Sequence, residues 1–367
     1  MYLFKYYRPN FYFEKSIKYD EIYFSANNEL NDPLDLSVLP YFSDNYELWL
    51  NLIKLSPRYD TWDIGALINY NFDDVAKDLN SLFKDKKIEP DKTISYFIKS
   101  YRSELIDIFS RYGGEVDETS MFKNMTKEQR AEPCILFLTE LLSRGWHKKF
   151  YSCSFSMNAL EPMMWAHYAE GFKGCVVIYR CENDSSLNLK PHPLSKSCES
   201  YYFSEVGYGE SERTVCILEH ALKNDSINPV LLSKSKFWSY EQEQRLLMSE
   251  SFDTIQLTQL DMLPDSSRVR LFHHSPNAIA GIIYGPNCSS LYKKKIESIL
   301  VEKYSYSSQG EQAFLALETS LNKDGDVFIE SGELCYSRSI GSPSPLKEQL
   351  SPEKLSYILA DIGIQQS

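Results

Sequence analysis

The sequence predicts an α+β protein with a mixed, mainly antiparallel sheet and a large helical insert. Three observations lead to this prediction: alternating strands near the start, a long stretch at helical spacing after them, and short strands interleaved with helices of uneven length in the second half. Hydrophobic residues make up 43% of the 367 residues, so the chain can bury a sizeable core. The sequence contains no Gly-rich phosphate loop, which argues against a doubly wound nucleotide-binding fold.

The first 40 residues predict two strands and a turn. Tyr2–Tyr7 alternates and is stopped by Pro9, and Glu21–Ser25 predicts a second strand. The segment Asn31-Asp32-Pro33-Leu34-Asp35 predicts a turn, because asparagine and aspartate before proline bend and cap the chain. As an alternative, Asp32 could hold a metal together with the acidic residues near position 240.

Helical spacing follows from about Tyr46 to Gly145, for example at Leu48, Leu52 and Leu55. This stretch predicts a separate helical subdomain. The predicted domains are a core made of residues 1–40 and 146–305, a helical insert of residues 41–145, and a C-terminal extension of residues 306–367 that is partly flexible.

Strands and helices alternate in the second half of the chain. The predicted strands are Phe150–Ser156, Cys175–Tyr179, Ser200–Val206, Trp238–Met248, Val269–Phe272, Ala278–Tyr284 and Val327–Tyr336. The predicted helices are Lys127–Leu142 in the insert and Pro162–Phe172, Thr214–Lys223 and Leu291–Tyr304 after it.

The net charge and the cysteines of the chain limit the kinds of partner that it is expected to bind. The net charge of −12 disfavours nucleic acid as a partner, although a local basic groove is compatible with it. No stretch approaches the roughly 20 apolar residues that cross a bilayer, and the first ten residues lack a signal core, so no membrane partner is expected. The eight cysteines form no Cys-x-x-Cys pair, which predicts reduced core thiols, no thiolate metal site and a cytoplasmic location.

Four separated segments resemble a bacterial family known as domain of unknown function 2971. Its opening strand is similar to Leu3–Arg8, and the second segment is Ile22–Ser25 followed by Leu30–Asp35. The third comprises Ser154-Phe155-Ser156, Met164–Ala169 and Gly174-Cys175, and the fourth comprises Lys236, Trp238–Glu241, Glu243 and Arg245. The chain departs from the family pattern at Leu30 and Leu34, where phenylalanine is common. The family name implies no activity, so the function has to be argued from the site.

Glu241-Gln242-Glu243 is the sharpest chemical signal. If Ser239–Met248 forms a strand, Glu241, Glu243 and Arg245 share one face. Two neighbouring carboxylates repel each other, which raises one pKa and can prepare a general base. Alternatively, this is a surface strand whose glutamates pair with Arg245 and solvent.

Arg8 and the serines Ser154 and Ser156 give two further signals. A guanidinium at the end of a strand can bind a pyrophosphate in bidentate fashion, or it can support a carboxylate such as Asp32 or Glu241. Ser154 and Ser156 place two hydroxyls on one strand face, where they can orient a glutamate or a ribose, or simply bond to backbone.

An arginine strand, a Ser-x-Ser strand and a Glu-x-Glu strand in this order resemble ADP-ribosyltransferases of the arginine–serine–glutamate type. The resemblance implies that Arg8 anchors NAD, that Ser154 or Ser156 supports the pocket, and that Glu243 is catalytic while Glu241 activates the acceptor. NAD would be a substrate, and no metal is implied. The interval between Ser156 and Glu241 is longer than the resemblance requires.

His167, Tyr168 and Tyr240 complete the predicted site. His167 and Tyr168 lie on the helix after the Ser-x-Ser strand, where they are candidate ligand contacts, whereas Trp165 is predicted to be structural. The favoured hypothesis is an NAD-dependent ADP-ribosyltransferase-like enzyme, a bacterial toxin or defence effector with an acceptor that the sequence does not identify. The alternatives are a non-catalytic module that binds a nucleotide, a small molecule or a partner, and, third, a metal-dependent phosphodiesterase.

Overall fold

The computed structural model describes residues 1–55, 67–89, 92–113, 124–143, 146, 150–182, 185–209, 213–223, 228–249, 270–305, 313–336 and 346–365. The chain divides into two compact units. The sheet unit consists of Met1–Glu29, Phe150–Glu210 and Lys234–Ser367, and the helical unit consists of Leu30–Lys149 and Ser211–Ser233.

The sheet unit contains a ten-stranded sheet in the described part of the chain. Its strands are β1 (Tyr2–Tyr7), β3 (Ser25–Ala26), β5 (Phe150–Ser156), β6 (Cys175–Arg180), β9 (Ser204–Glu205), β13 (Glu243–Ser249), β15 (Ile279–Tyr284), β16 (Ala313–Leu321), β17 (Val327–Tyr336) and β18 (Leu346–Gln349). The order is β18-β17-β16-β15-β6-β1-β5-β13-β9, and β3 also pairs with β5. The pair β15–β16 is parallel and the other pairs are antiparallel, which confirms the predicted α+β class with a mixed, mainly antiparallel sheet.

A second sheet and a small pair of strands complete the β-structure of this unit. The second sheet is ordered β2 (Glu21–Tyr23), β14 (Leu271–His274), β7 (Ser186–Lys190) and β8 (Glu199–Tyr202). The short strand β10 (Gly207–Tyr208) pairs with β12 (Ser233–Lys234). This last pair matters for the site, because it carries a tyrosine and a lysine towards the start of β13.

Helices cover both faces of the large sheet. Successive strand residues point to opposite sides, so each face carries its own apolar side chains. On one face, Leu3 and Val177 pack with Phe13 of α1 (Phe11–Tyr19) and Ile296 of α10 (Ser290–Ser305). On the other face, Phe4 packs in a cluster with residues of α7 (Pro162–Tyr168) and α11 (Pro352–Asp361). A sheet covered on both faces buries a core in two layers, and β1 lies in its centre.

The helical unit has its own core. Its helices are α2 (Tyr46–Lys54), α3 (Phe72–Phe83), α4 (Ile94–Ser100), α5 (Arg102–Arg111), α6 (Lys127–Ser143), α8 (Ile217–Lys223) and α9 (Asn228–Leu231). The rings of Phe42, Trp49 and Phe83 stack in the middle of this core at centroid distances of 5.1 to 5.6 Å. Strand β4 (Leu39–Tyr41) pairs in parallel with β11 (Thr214–Cys216).

Several predicted elements are wrong in part. The predicted strand Ser200–Val206 is two strands, β8 and β9, which belong to different sheets. The segment predicted as one strand over Trp238–Met248 begins as a 3₁₀ helix, Lys236–Glu241, and becomes strand β13 only at Glu243. Gln242 separates the two with a positive φ of 42°, and its N–H bonds to the Ser239 carbonyl, which closes the turn. The predicted helix Thr214–Lys223 starts with β11, because its β-branched first residues pair with β4.

Some predictions concern residues that the structure does not describe. Val269 of the strand predicted over Val269–Phe272 lies outside the described residues, as do residues 306–312 and 337–345 of the predicted C-terminal extension. The described parts of that extension contribute β16, β17, β18 and α11 to the sheet unit.

The eight cysteines are free thiols, and all but Cys198 are buried. Among the described residues, no helix combines the length and the apolar character needed to cross a membrane.

Candidate functional site

The three strands that carry the sequence motifs are direct neighbours. The Ser-x-Ser strand β5 lies between β1 and β13 in the sheet. Ser156, at the end of β5, is the register partner of Phe4 on one side and of Glu243 on the other. Arg8 follows the last residue of β1. The fold therefore brings the serine and glutamate motifs together, with the arginine at the end of the adjoining strand.

A buried ionic cluster lies at the start of β13. The Lys234 ammonium is 2.7 Å from a carboxylate oxygen of Glu241 and 2.8 Å from one of Glu243. Arg245 donates from Nε and Nη2 to the two oxygens of Glu243, at 2.8 and 3.0 Å. These four residues, which we call the charge cluster, are between 0% and 6% exposed. Two carboxylates and two cations are thus removed from water together, and their formal charges cancel.

The two carboxylates of the charge cluster differ in proton affinity. Burial alone would raise the pKa of Glu243, but Arg245 and Lys234 outweigh it and lower this pKa to about 2. Burial raises the pKa of Glu241, with a further contribution from the neighbouring Glu243 charge, and Lys234 only partly opposes this rise. Glu243 is therefore held ionised, whereas Glu241 is the carboxylate that takes up a proton more readily.

Backbone contacts fix the positions of both glutamates. The Ser156 hydroxyl, which is fully buried, donates to the Glu241 carbonyl at 2.7 Å. The Glu243 N–H donates to the Tyr208 hydroxyl at 2.7 Å, and the Met157 N–H donates to the Gln242 carbonyl at 3.0 Å. Ser156 thus supports the turn between the two glutamates through a backbone contact, which is the alternative that the sequence leaves open for the two serines.

Ser154 lies one pair further along the same strands. It is the register partner of Arg245, and its carbonyl accepts a hydrogen bond from the Lys5 ammonium at 2.8 Å. The structure gives Ser156, and not Ser154, the hydroxyl contact to the glutamate segment.

Helix α7 links the arginine to the charge cluster through two consecutive residues. The Tyr168 hydroxyl donates to the Glu241 carboxylate at 2.5 Å. The carbonyl of His167 accepts a hydrogen bond of 3.3 Å from the exposed Arg8 guanidinium. Trp165 is fully buried and donates from its indole N–H to the Ala159 carbonyl at 2.9 Å, as expected for a structural residue. The predicted contacts His167 and Tyr168 thus lie between Arg8 and Glu241.

Aromatic rings continue from His167 along the 3₁₀ helix. The His167 ring is 6.1 Å from the Tyr240 ring, which is 6.1 Å from Trp238. The ring of Phe237, 67% exposed, is 5.3 Å from that of Trp238. The Tyr240 hydroxyl oxygen is buried and lacks a hydrogen-bond partner in the described structure. We call His167, Tyr240, Trp238 and Phe237 the aromatic row, and its Trp238 ring lies 5.8 Å from the Lys234 ammonium of the charge cluster.

Sequence reasoning missed Lys234 and Tyr208. Lys234 lies in a Ser-Lys-Ser-Lys run whose composition is typical of a solvated loop, and Tyr208 is one of 26 tyrosines. Their roles depend on the pairing of β10 with β12, in which the Gly209 N–H donates to the Lys234 carbonyl at 3.0 Å.

The structure places the residues of the metal hypothesis in different units. Asp32 belongs to the helical unit, where its carboxylate is 3.9 Å from the Arg213 guanidinium. Within the described ranges, no group of three or more histidine, cysteine, aspartate or glutamate side chains is arranged to hold a metal ion. The metal-dependent phosphodiesterase stays a prediction.

Comparison with known proteins finds one family. Residues 164–246 match the model of a family described as a protein of unknown function (DUF2971). The matched segment includes Tyr168, Lys234, Glu241, Glu243 and Arg245, and it is shorter than the resemblance drawn from the sequence, which begins with the first residues. No curated protein matches the chain, and no solved structure does either.

Proposed function

We propose that the protein is an NAD-consuming transferase of the ADP-ribosyltransferase kind, with NAD as a substrate and a macromolecule as acceptor. The observation that carries this proposal is the adjacency of β1, β5 and β13, since it brings the arginine, serine and glutamate motifs to neighbouring strands in the order of the resemblance. Helix α7 supports it further, because His167 and Tyr168 contact Arg8 and Glu241 respectively.

In this proposal Arg8 and the aromatic row bind NAD. Arg8 is exposed and at the end of its strand, so its planar guanidinium is accessible to a pyrophosphate, which it can bind through two parallel hydrogen bonds. Flat rings such as those of Tyr240 and Trp238 suit the stacking of a planar base. The nucleotide would therefore be held by one charged contact and several apolar ones, as is usual for small-molecule sites.

The two carboxylates of the charge cluster have different roles in the proposed reaction. As the bond between the nicotinamide nitrogen and ribose C1′ breaks, its electron pair goes to nicotinamide and positive charge develops on the ribose. The ionised carboxylate of Glu243 stabilises that charge. A new bond then forms between C1′ and the acceptor nucleophile, and Glu241, with the higher proton affinity, takes the proton that the nucleophile loses.

The compartment and the biological role are part of the same proposal. Seven buried free thiols fit a reducing compartment, so we expect the protein to act in the cytoplasm. An enzyme that transfers ADP-ribose to a macromolecule would serve as a toxin or a defence effector.

The test is release of nicotinamide from NAD by the full-length protein, with water as the acceptor. We expect Glu243→Gln to reduce the rate by about a hundredfold or more, because the charge that stabilises the ribose is lost. Glu241→Gln should reduce it by a similar factor at neutral pH because the proton acceptor is lost. Glu330→Gln, at an exposed position on β17, is the matched control and should release nicotinamide at the wild-type rate. Wild-type protein that releases no nicotinamide at any concentration, or mutants that equal the control, would refute the proposal.

A non-catalytic binding module is the second candidate. The observation that favours it is the closed arrangement of the charge cluster, in which each carboxylate already has a cation and the charges cancel. Titration calorimetry with NAD distinguishes the two candidates. A module binds NAD without releasing nicotinamide, and its affinity falls in Arg8→Lys, whereas an enzyme turns NAD over.

A further inference from the structure

Lys234 lies between Glu241 and Glu243. In the proposed reaction Glu241 accepts a proton, whereas Glu243 stays ionised. Its ammonium group is within 2.8 Å of both carboxylates, and its side chain is 7% exposed. Strand pairing with β10 fixes its backbone, and its ammonium lies 5.8 Å from the centre of the Trp238 ring. The lysine is therefore built into the site and is not a mobile surface cation.

The contacts of the two carboxylates are unequal. Arg245 occupies both oxygens of Glu243, so Glu243 keeps a charged partner even without Lys234. The carboxylate of Glu241 contacts the Lys234 ammonium and the Tyr168 hydroxyl in the described structure. Lys234 is thus the cation on which the ionised form of Glu241 depends.

We propose that Lys234 is a positioning residue which keeps Glu241 ionised beside Glu243, so that Glu241 can accept the proton of the acceptor nucleophile. This inference rests on the proposed function. Lys234 does not touch the reacting atoms in this scheme, and it acts through the carboxylate of Glu241.

The groups that surround Glu241 indicate what the loss of Lys234 would do. Those facing it from neighbouring elements are Lys234 on β12, Glu243 on β13, Tyr168 on α7 and Tyr208 on β10, with Tyr240 beside it on its own segment. Without the lysine, the negative charge of Glu243 remains beside Glu241 in the described structure. Burial and that charge both raise the pKa of Glu241, so the side chain would take up its proton at a higher pH than in the wild-type protein.

The experiment compares Lys234→Met and Lys234→Arg in the full-length protein. Lys323→Met, at an exposed lysine in the β16–β17 turn, is the matched control. The first measurement is the infrared difference spectrum between acid and neutral pH, which reports the carbonyl stretch of a protonated carboxyl group. The band that disappears in Glu241→Gln identifies the Glu241 signal. We expect this band to persist to higher pH in Lys234→Met and to remain at its wild-type pH in Lys234→Arg and in the control.

The second measurement is the pH profile of nicotinamide release. At neutral pH we expect kcat to fall by about a hundredfold in Lys234→Met, with KM for NAD nearly unchanged, because a general base contributes a factor of this order. The rate should recover at higher pH as Glu241 ionises, so the acid limb moves to higher pH. A lysine with a merely structural role would lower activity without moving that limb.

The two proposals fail in different ways. A wild-type protein that releases no nicotinamide refutes the proposed function and, with it, the catalytic part of this inference, while the infrared band still tests whether Lys234 controls the protonation of Glu241. A Glu241 band at the same pH in wild type and Lys234→Met overturns the inference whatever the activity. If Lys234→Met is unfolded by circular dichroism, the same comparison is made with Lys234→Arg and Lys234→Gln.

Discussion

Two sites in the sheet unit pair carboxylates with cations, the exposed Glu29 with Arg270 and the buried glutamates of the charge cluster with Lys234 and Arg245. Glu29 accepts two hydrogen bonds from Arg270, at 2.7 and 3.1 Å, and further ones from the Tyr23 hydroxyl and the Ala26 N–H, both at 2.9 Å. The Arg270 guanidinium lies 4.9 and 5.0 Å from the rings of Tyr23 and Tyr151. One carboxylate therefore has a full set of donors. In the charge cluster, by contrast, two carboxylates share Lys234.

The donors around each carboxylate decide whether its pKa falls or rises. At Glu29, burial is outweighed by Arg270 and the other donors, and the pKa is lowered. At the charge cluster, the same kind of contact lowers the pKa of Glu243, whereas burial and the neighbouring Glu243 charge raise that of Glu241. A satisfied pair such as Glu29–Arg270 stabilises the fold, whereas a pair whose pKa values are pushed apart offers a base and an ionised stabiliser in one place.

Removing the arginine at each site should change the free energy of unfolding by very different amounts. Arg245→Met leaves Glu243 buried with one cation fewer, so we expect the free energy of unfolding to fall by roughly 3–5 kcal/mol. Arg270→Met should cost only about 1 kcal/mol, because the Glu29 side chain is 37% exposed and water can replace the arginine. Urea unfolding followed by circular dichroism measures both values, and Lys323→Met is the control. Equal losses in the two arginine mutants would contradict the distinction drawn here.

The next effect concerns pH. The folded-state pKa of Glu243, about 2, lies below its ordinary value of 4.5, so this residue contributes stability above pH 4.5 that is lost as the pH falls towards 2. The contribution is on the order of 3 kcal/mol. We expect Glu243→Gln to be less stable than wild type at neutral pH, with the gap closing in acid. Glu29→Gln should show a smaller gap of the same sign, measured by urea unfolding across this pH range. A stability difference between Glu243→Gln and wild type that does not depend on pH would contradict this prediction.

Much of the fold follows from sequence pattern, because local alternation and helical spacing determine it. Strand β5 coincides with its prediction, Phe150–Ser156, and β17 does so with Val327–Tyr336. The segment before Glu243 could not be predicted, since aromatic residues alternating with polar ones fit a strand and a 3₁₀ helix equally well. Here the contacts among Phe237, Trp238 and Tyr240 accompany the tighter turn, and they depend on tertiary structure.

Only those residues of the site that belong to short sequence motifs could be predicted. The sequence indicates Glu241 and Glu243, which belong to the charge cluster, and Tyr168, which contacts it. Lys234 could not be found in this way, because its role arises from the pairing of β10 with β12 and not from its neighbours in sequence. Arg8 illustrates the opposite limit: its motif is clear, but the contact that the described structure shows for its guanidinium is with the backbone carbonyl of His167.

Removing the tyrosine hydroxyl at each site should have smaller effects on stability than removing the arginine. Tyr168→Phe removes a hydrogen bond of 2.5 Å to the Glu241 carboxylate, and we expect a loss of about 1–2 kcal/mol because that carboxylate is buried. Since this hydrogen bond lowers the pKa of Glu241, its removal should also move the acid limb of nicotinamide release to higher pH. Tyr23→Phe should cost less than about 1 kcal/mol, because Arg270 still satisfies Glu29 and the ring still packs on the guanidinium. Urea unfolding and the pH profile measure the two consequences separately. If Tyr168→Phe lowered stability but left the acid limb in place, the Tyr168 hydroxyl would be a structural contact like that of Tyr23. The surroundings of Glu241 and Glu29 would then differ less in their effect on proton uptake than we propose.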